Sequence, residues 1–230
     1  GGRSALTGVL DFYANGHLGA LASRNRGELV GYGTSPEGVE NNEAVYEVIS
    51  VAGWSSRRID VLRLLHDYSR ARYGKSVRGV DRFWRGMLGS AYGEFTNNAR
   101  FRWQLRPLSR RMATMGVNEH YFEAIEEFLG AASELGKAPN YRTDAIQYAA
   151  FYLAGKADIL LDAAVWAAMH GETEQAARCE RRFLALLREA DRLLASHPLL
   201  RLERWNEQAR AAGCSEEERD RFVREQRRLI

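Results

Sequence analysis

Residues 31–42 read GYGTSPEGVENN, preceded by the apolar pair Leu29-Val30 and followed at 44–54 by AVYEVISVAGW. That order predicts the end of a strand-like piece, a turn punctuated by glycine and proline, and the start of a helix. One carboxylate, Glu37, stands inside the turn directly after Pro36. Spacing alone leaves two readings of it open. Pro-Glu-Gly is a common solvated surface turn, and a loop that follows a strand is also where barrel enzymes carry their catalytic acids.

Toward the N-terminus the pattern is short and glycine-rich. Thr7–Phe12, TGVLDF, predicts a strand, Asn15-Gly16 a turn into a short helix, and Gly27–Thr34, GELVGYGT, a second strand. Two strands around a helical piece suggest a βαβ fragment. Asn15 and His17 then fall on a loop after the first strand, either lining the mouth of a site or serving as turn residues.

Beyond Asn42 the pattern is helical. Asn41 or Asn42 suits the cap of the helix that carries Val45, Tyr46, Val48 and Ile49. Arg57–Tyr73 has apolar residues at helical spacing and Gly74 as a stop. Val80–Tyr92 repeats the pattern, and residues 95–117 read as a long loop. Long helices are predicted over 118–135, 140–170 (ended by Gly171) and 172–195. Pro198 interrupts before a short helical run, and Ser215 to Glu218 caps and acidifies the start of the last helix. Trp84, Trp166 and Trp205 each fit an apolar stripe and are predicted to pack in the core. The expected fold class is mainly α: a C-terminal helical bundle domain, residues 43–230, preceded by a small α/β remnant, residues 1–42.

The 230 residues carry 33 basic and 30 acidic side chains, a net charge of +3, and 45% are hydrophobic. This excludes a disordered chain and gives little support to nucleic-acid binding, which concentrates basic charge on one face. Glu203, Glu207 and Glu216 to Glu218 interleave with the C-terminal arginines, which also argues against that class. Lysine appears only at 75, 137 and 156, so 30 of the basic residues are arginine; codon bias in a GC-rich genome is the preferred explanation, although arginine also suits carboxylate, sulfate or phosphate partners. Cys179 and Cys214 are too far apart in sequence for a metal-ligand pattern and read as two buried thiols, so no metal and no cofactor is expected. No run approaches the roughly 20 apolar residues of a membrane span.

The run from Gly31 to Trp54 resembles the segment around the catalytic nucleophile in glycoside hydrolase family 89, the α-N-acetylglucosaminidases. The residues that carry the likeness are Gly33, Pro36, Glu37, Gly38, Asn42, Val45, Tyr46 and Trp54. The likeness continues in order along the chain. Ala71-Arg72-Tyr73-Gly74 is similar to an Arg-Tyr-Gly helix end, and Trp84 with Ser90-Ala91-Tyr92 to the helix after it. Arg106-Pro107 is similar to a later loop, Tyr141-Arg142-Thr143-Asp144 to the start of a long helix, and Trp205 to Arg210 to a Trp-Leu-Glu-Gln-Ala-Arg stretch.

The resemblance implies the end of a TIM barrel followed by an all-helical domain. It implies Glu37 as the nucleophile of a retaining glycosidase that removes terminal α-linked N-acetylglucosamine from a glycan. Such an enzyme needs a second carboxyl group about 5 Å away as acid/base. In the family that group comes from an earlier barrel strand, outside this chain, so an upstream barrel is the implied partner and the chain alone is expected to be inactive. Asp144 resembles an aspartate near the family's sugar pocket; as a bare helix-start acid it is equally well explained by the helix dipole. The family carries an aromatic pair around 115–117, where Gly116 and Val117 stand here. By resemblance the protein is exported or lysosome-like, with neither membrane nor nucleic acid as partner. The alternative is a non-catalytic helical module whose arginine-rich segment at 199–230 binds an acidic or sulfated partner.

Overall fold

The computed structural model describes residue 6 and residues 8–34, 43–93, 101, 103 and 118–229. These residues form helices and no β-strand. The chain divides into two compact units, residues 1–145 and 146–230. The first contains α1 (Leu10–Ala22), α2 (Glu43–Ala52), α3 (Val61–Tyr73), α4 (Arg78–Leu88), α5 (Glu119–Gly130), α6 (Ala132–Leu135) and the opening turns of α7 (Pro139–Met169). The second contains the remainder of α7, then α8 (Thr173–Ala195), α9 (Leu202–Ala211) and α10 (Glu216–Leu229).

The strand expectations at the N-terminus are corrected. Leu10 to Phe12 open α1, and Asn15-Gly16 lies inside that helix instead of turning the chain. Residues 27–34 run without strand pairing among the described residues, and Val30 is 98% exposed. A strand exists only through a hydrogen-bonded neighbour, and none stands beside this run among the described residues. Leu10 and Ala14 instead bury one turn apart on α1. The turn with Glu37, the Asn41 and Asn42 caps, Arg106-Pro107 and Gly116-Val117 lie outside the described residues.

The helical expectations hold closely from residue 43 onward. The helix predicted from Arg57 starts instead at Val61, because the Asp60 carboxylate accepts from the Arg63 N–H at 3.1 Å and caps it there. Gly74 ends it at φ +86°, a left-handed conformation that costs a side chain with a Cβ. Asn118 caps α5 by accepting from the Tyr121 N–H at 3.2 Å. The stretch predicted as one helix over 118–135 breaks at Ala131 into α5 and α6. Gly171, at φ +77°, follows the end of α7. Ser215 Oγ accepts from the Glu218 N–H at 3.2 Å, while the Glu218 carboxylate accepts from the Cys214 N–H at 3.0 Å, so two orphan donors at the start of α10 are satisfied. In that second unit α9 packs against α10, with Arg210 paired to Glu216 and to Asp220.

The core of the first unit is an unbroken aromatic chain. Tyr68 meets Trp84, Trp84 meets Phe83 at 4.7 Å, Phe83 meets Phe128 at 4.9 Å, and Phe128 stacks on Tyr141 at 4.8 Å. Trp84 is buried as predicted, and its Nε1–H donates to Ser69 Oγ at 2.8 Å. Trp166 differs: it is 56% exposed and stacks on His170 with ring centres 4.1 Å apart. Trp205 is half-buried, beneath the Arg204 guanidinium. Of the two thiols predicted as buried, Cys179 is and Cys214 is exposed.

Helices α4 and α5 approach closely because two glycines face α5. A Cβ at Gly86 would stand 2.7 Å from Ala124 Cβ and 3.0 Å from the His120 carbonyl oxygen, and one at Gly79 would stand 2.8 Å from the Glu127 carbonyl oxygen. In an open helix interior, Gly→Ala gains about 1 kcal/mol. Here overpacking, at about 1–3 kcal/mol, works against that gain. Gly86→Ala is therefore expected to lower the urea midpoint; a raised midpoint would show that α4 and α5 can separate at no cost.

Candidate active site

Glu37 lies six residues before the start of α2. Around that start the structure assembles a charged cluster from three distant parts of the sequence. Arg72, in the last turn of α3, points its guanidinium at Asp144 in α7. Arg72 Nε donates to Asp144 Oδ2 at 2.6 Å and Arg72 Nη2 to Oδ1 at 2.7 Å. The Tyr73 hydroxyl donates to Oδ2 at 2.7 Å. Arg72 Nη2 also reaches Glu43 Oε1, at the first residue of α2, at 3.5 Å. The Tyr68 ring lies 5.9 Å from the guanidinium carbon.

The side chain of Asp144 is 5% exposed and that of Arg72 19%. Burial of such a pair requires that its donors and acceptors be filled, and the two-pronged guanidinium fits both carboxylate oxygens at once. The hydrogen bond to Asp144 raises the pKa of Arg72 further above its ordinary value, against the effect of burial. Burial first, and the Asp144 charge second, hold the Tyr73 hydroxyl well above its ordinary pKa. Burial does the same to Tyr92 and Tyr68, and pushes Tyr141 to about 12.

Asn15 and His17 sit together on α1 and grip the segment that joins α2 to α3. Asn15 Oδ1 accepts from the Ile59 N–H at 2.8 Å, and its Nδ2 donates to the Ile59 carbonyl at 3.1 Å and to Asp11 Oδ1 at 3.0 Å. The side-chain amide thus pairs with a peptide group as a neighbouring strand would. His17 Nε2 faces the Ser55 carbonyl at 2.9 Å and therefore donates to it; Nδ1 is buried without a partner among the described residues. Both residues belong to a helix, not to the predicted loop. No hydrogen bond links either of them to Asp144, Arg72 or Tyr73. A cleft of about 600 Å³ opens beside this segment, lined in part by Asp11, Arg58 and Tyr92. Its charges already serve the fold, since Arg58 pairs with Asp11 at 3.0 Å and Asp60 caps α3.

Family resemblance suggested Asp144 as a residue near a sugar site, and nothing in its local sequence announces its partners. Arg72 and Tyr73 were visible only as a helix end, and Glu43 only as a helix start. A pair 72 positions apart has no local signal. Family comparison supplies the class to which this arrangement belongs. Residues 64–230 match the α-N-acetylglucosaminidase (NAGLU) C-terminal domain, and residues 1–56 the TIM-barrel domain of the same proteins. The class is thus a helical domain carried behind the end of a TIM barrel. The chain belongs to the α-N-acetylglucosaminidase family.

Human α-N-acetylglucosaminidase is 30% identical over 236 residues, which cover 99% of this chain and 31% of the human protein. Two solved structures of a family 89 glycoside hydrolase from Clostridium perfringens share the fold. The complex with PUGNAc has a TM-score of 0.84 at 23% identity, and a variant with two glutamates changed to glutamine, bound to GlcNAc-α-1,4-galactose, has 0.82 at 24%. Each covers 100% of this chain, which spans 27% of theirs. The chain therefore spans under a third of the length of these relatives.

Two outcomes follow from the cluster. Asp144→Ala leaves a half-buried guanidinium and a phenol without their acceptor, and is expected to destabilise the fold by about 3 kcal/mol in urea unfolding; a loss under about 1 kcal/mol would mean that Arg72 finds water instead. Tyr73 holds its proton in the fold to a higher pH than in the unfolded chain, where its pKa is about 10. Its contribution is complete below that pH and is lost as pH rises from there through the folded value. Melting temperature is expected to fall above about pH 10, less steeply in Tyr73→Phe.

Proposed function

We propose that this chain is the C-terminal part of a retaining exo-α-N-acetylglucosaminidase, with Glu37 as its nucleophile. The observation that carries the reading is the family match across both domains, in which Glu37 lies within the part matched to the TIM-barrel domain. The Clostridium relative bound its GlcNAc-α-linked disaccharide in a form with two glutamates changed to glutamine, the residue type that a two-carboxylate mechanism uses. Residues 1–42 form the barrel end and 43–230 the helical domain in this reading.

The Glu37 carboxylate attacks the anomeric carbon of a terminal α-linked N-acetylglucosamine and forms an ester. The glycosidic C–O bond breaks, and the leaving oxygen takes a proton from an acid supplied by the barrel. Water then attacks the same carbon, the former acid takes its proton, and Glu37 is released. Asp144, Asn15 and His17 belong to the wall of the sugar pocket in this reading. The protein partners of Asp144 and Asn15 make them shapers of that wall, while His17 keeps one acceptor open. The substrate is a glycan ending in α-linked N-acetylglucosamine, met outside the cell or in a lysosome-like compartment.

Glu37→Ala, made in the native polypeptide that carries residues 1–230, is expected to lower kcat for an aryl α-N-acetylglucosaminide on the order of 10⁴-fold. Added azide should restore turnover and yield the β-glycosyl azide, because the small anion takes the place of the missing carboxylate. Activity close to that of the parent, or rescue that yields the α-azide, would remove Glu37 from the nucleophile role.

A further inference from the structure

Glu43 is held in a way that an ordinary helix-opening acid is not. A glutamate in a first turn gains from the helix dipole and stays in water. Glu43 instead meets a guanidinium that is already fixed. Arg72 gives Nε and one edge of Nη2 to Asp144, and Nη2 also reaches Glu43. The backbone carbonyl of Arg72 accepts from Asn140 Nδ2 at 3.2 Å, which ties the end of α3 to the start of α7 a second time. Side-chain exposure grades outward along the line, from 5% at Asp144 to 19% at Arg72 and 37% at Glu43. One arginine thus connects a buried anchor to the first residue of α2.

We propose that Arg72 and Glu43 are positioning residues for the Glu37 reaction. They fix the first turn of α2, the point from which the chain runs six residues back to Glu37. This rests on the reading of Glu37 as nucleophile. Six residues span at most about 20 Å, so a fixed end restricts where the carboxylate can stand. Misplacing a reacting group by about 1 Å can cost on the order of 10²-fold in rate. Asp144 acts one step behind, as the anchor of Arg72.

The test uses Glu43→Gln, Glu43→Asp and Arg72→Lys in the native polypeptide. Arg70→Gln, an exposed change on the same helix, serves as control. Kinetics are measured at a temperature where circular dichroism shows every variant folded. Glu43→Gln is expected to lower kcat about 10- to 100-fold with KM within about twofold. Glu43→Asp should recover part of the loss, and Arg70→Gln should match the parent. Hydrogen exchange at the amides of residues 47–49, which donate to the first-turn carbonyls, should quicken in Glu43→Gln and not in the last turn of α2. A Glu43→Gln enzyme with kcat within twofold of the parent, or with its loss confined to KM, overturns the proposal. So does unchanged exchange at 47–49. If Arg72→Lys fails to fold, the half-exposed Glu43 variants still decide the matter. Azide rescue of Glu37→Ala separates the two claims: successful rescue with an unaffected Glu43→Gln removes only the positioning role. Parent-like activity of Glu37→Ala, or an α-azide product, removes the nucleophile and with it the proposal.

Discussion

Arg72 and Asp144 come from helices 72 positions apart, and the first unit is organised around their meeting. Taking a carboxylate and a guanidinium out of water costs several kcal/mol per ion, so the pair persists only with its polar atoms filled. Two guanidinium donors and the Tyr73 hydroxyl meet that demand at Asp144. Because the demand is geometric, it sets the register of α3 against the opening of α7. Tyr73 carries the constraint into the apolar core, where its ring stands edge-on to Phe128 and Tyr141. Tyr141 in turn donates its hydroxyl to the Phe128 carbonyl at 2.7 Å, at the C-terminal end of α5. A single chain of polar and aromatic contacts thus fixes α3, α5 and α7 together, and through Glu43 it reaches α2.

The remaining helices are placed by shape. Gly79 and Gly86 let α4 lie against α5 at a distance that any Cβ would prevent. That closeness brings Phe83 and Trp84 onto Phe128 and Tyr68. On the other side, α1 is held to the α2–α3 segment by Asn15 and His17, and its first amide donates to the Tyr92 carbonyl at 3.2 Å. Helix α2 is thus held by two polar clamps with different chemistry, one at its first residue and one on the segment that follows it. One is an amide and an imidazole on backbone groups. The other is an ion pair.

Helices with a strong apolar period and an end signal were legible in the sequence: Gly74 and Gly171 stop theirs, and Ser215 and Glu218 start theirs, as read. The N-terminal strands were misread because Leu10, Phe12, Leu29 and Val30 look alike in a strand or a helix over so short a run. Only the presence or absence of a pairing neighbour decides. Trp166 was misplaced because a stripe of apolar residues does not say how much of it another helix covers. Family likeness singled out Asp144 and, as a helix end, Arg72, but not their pairing with each other or with Glu43, since an ion pair between remote helices leaves no mark in either local pattern. Glu37 stands out only through the residues around it, since Pro-Glu-Gly is by itself a common sequence.

Family membership and the helical fold give Glu37 a context, and the clamps on either side of α2 give that context a physical form. The central claim is chemical: this carboxylate bonds to the sugar. The most direct measurement is mass spectrometry of the native polypeptide after reaction with a fluorinated α-N-acetylglucosaminyl donor, chosen so that glycosylation is fast and hydrolysis slow. The account predicts one added sugar, on the peptide that contains Glu37. A sugar on any other carboxylate, or a reactive enzyme that accumulates no adduct, would contradict it.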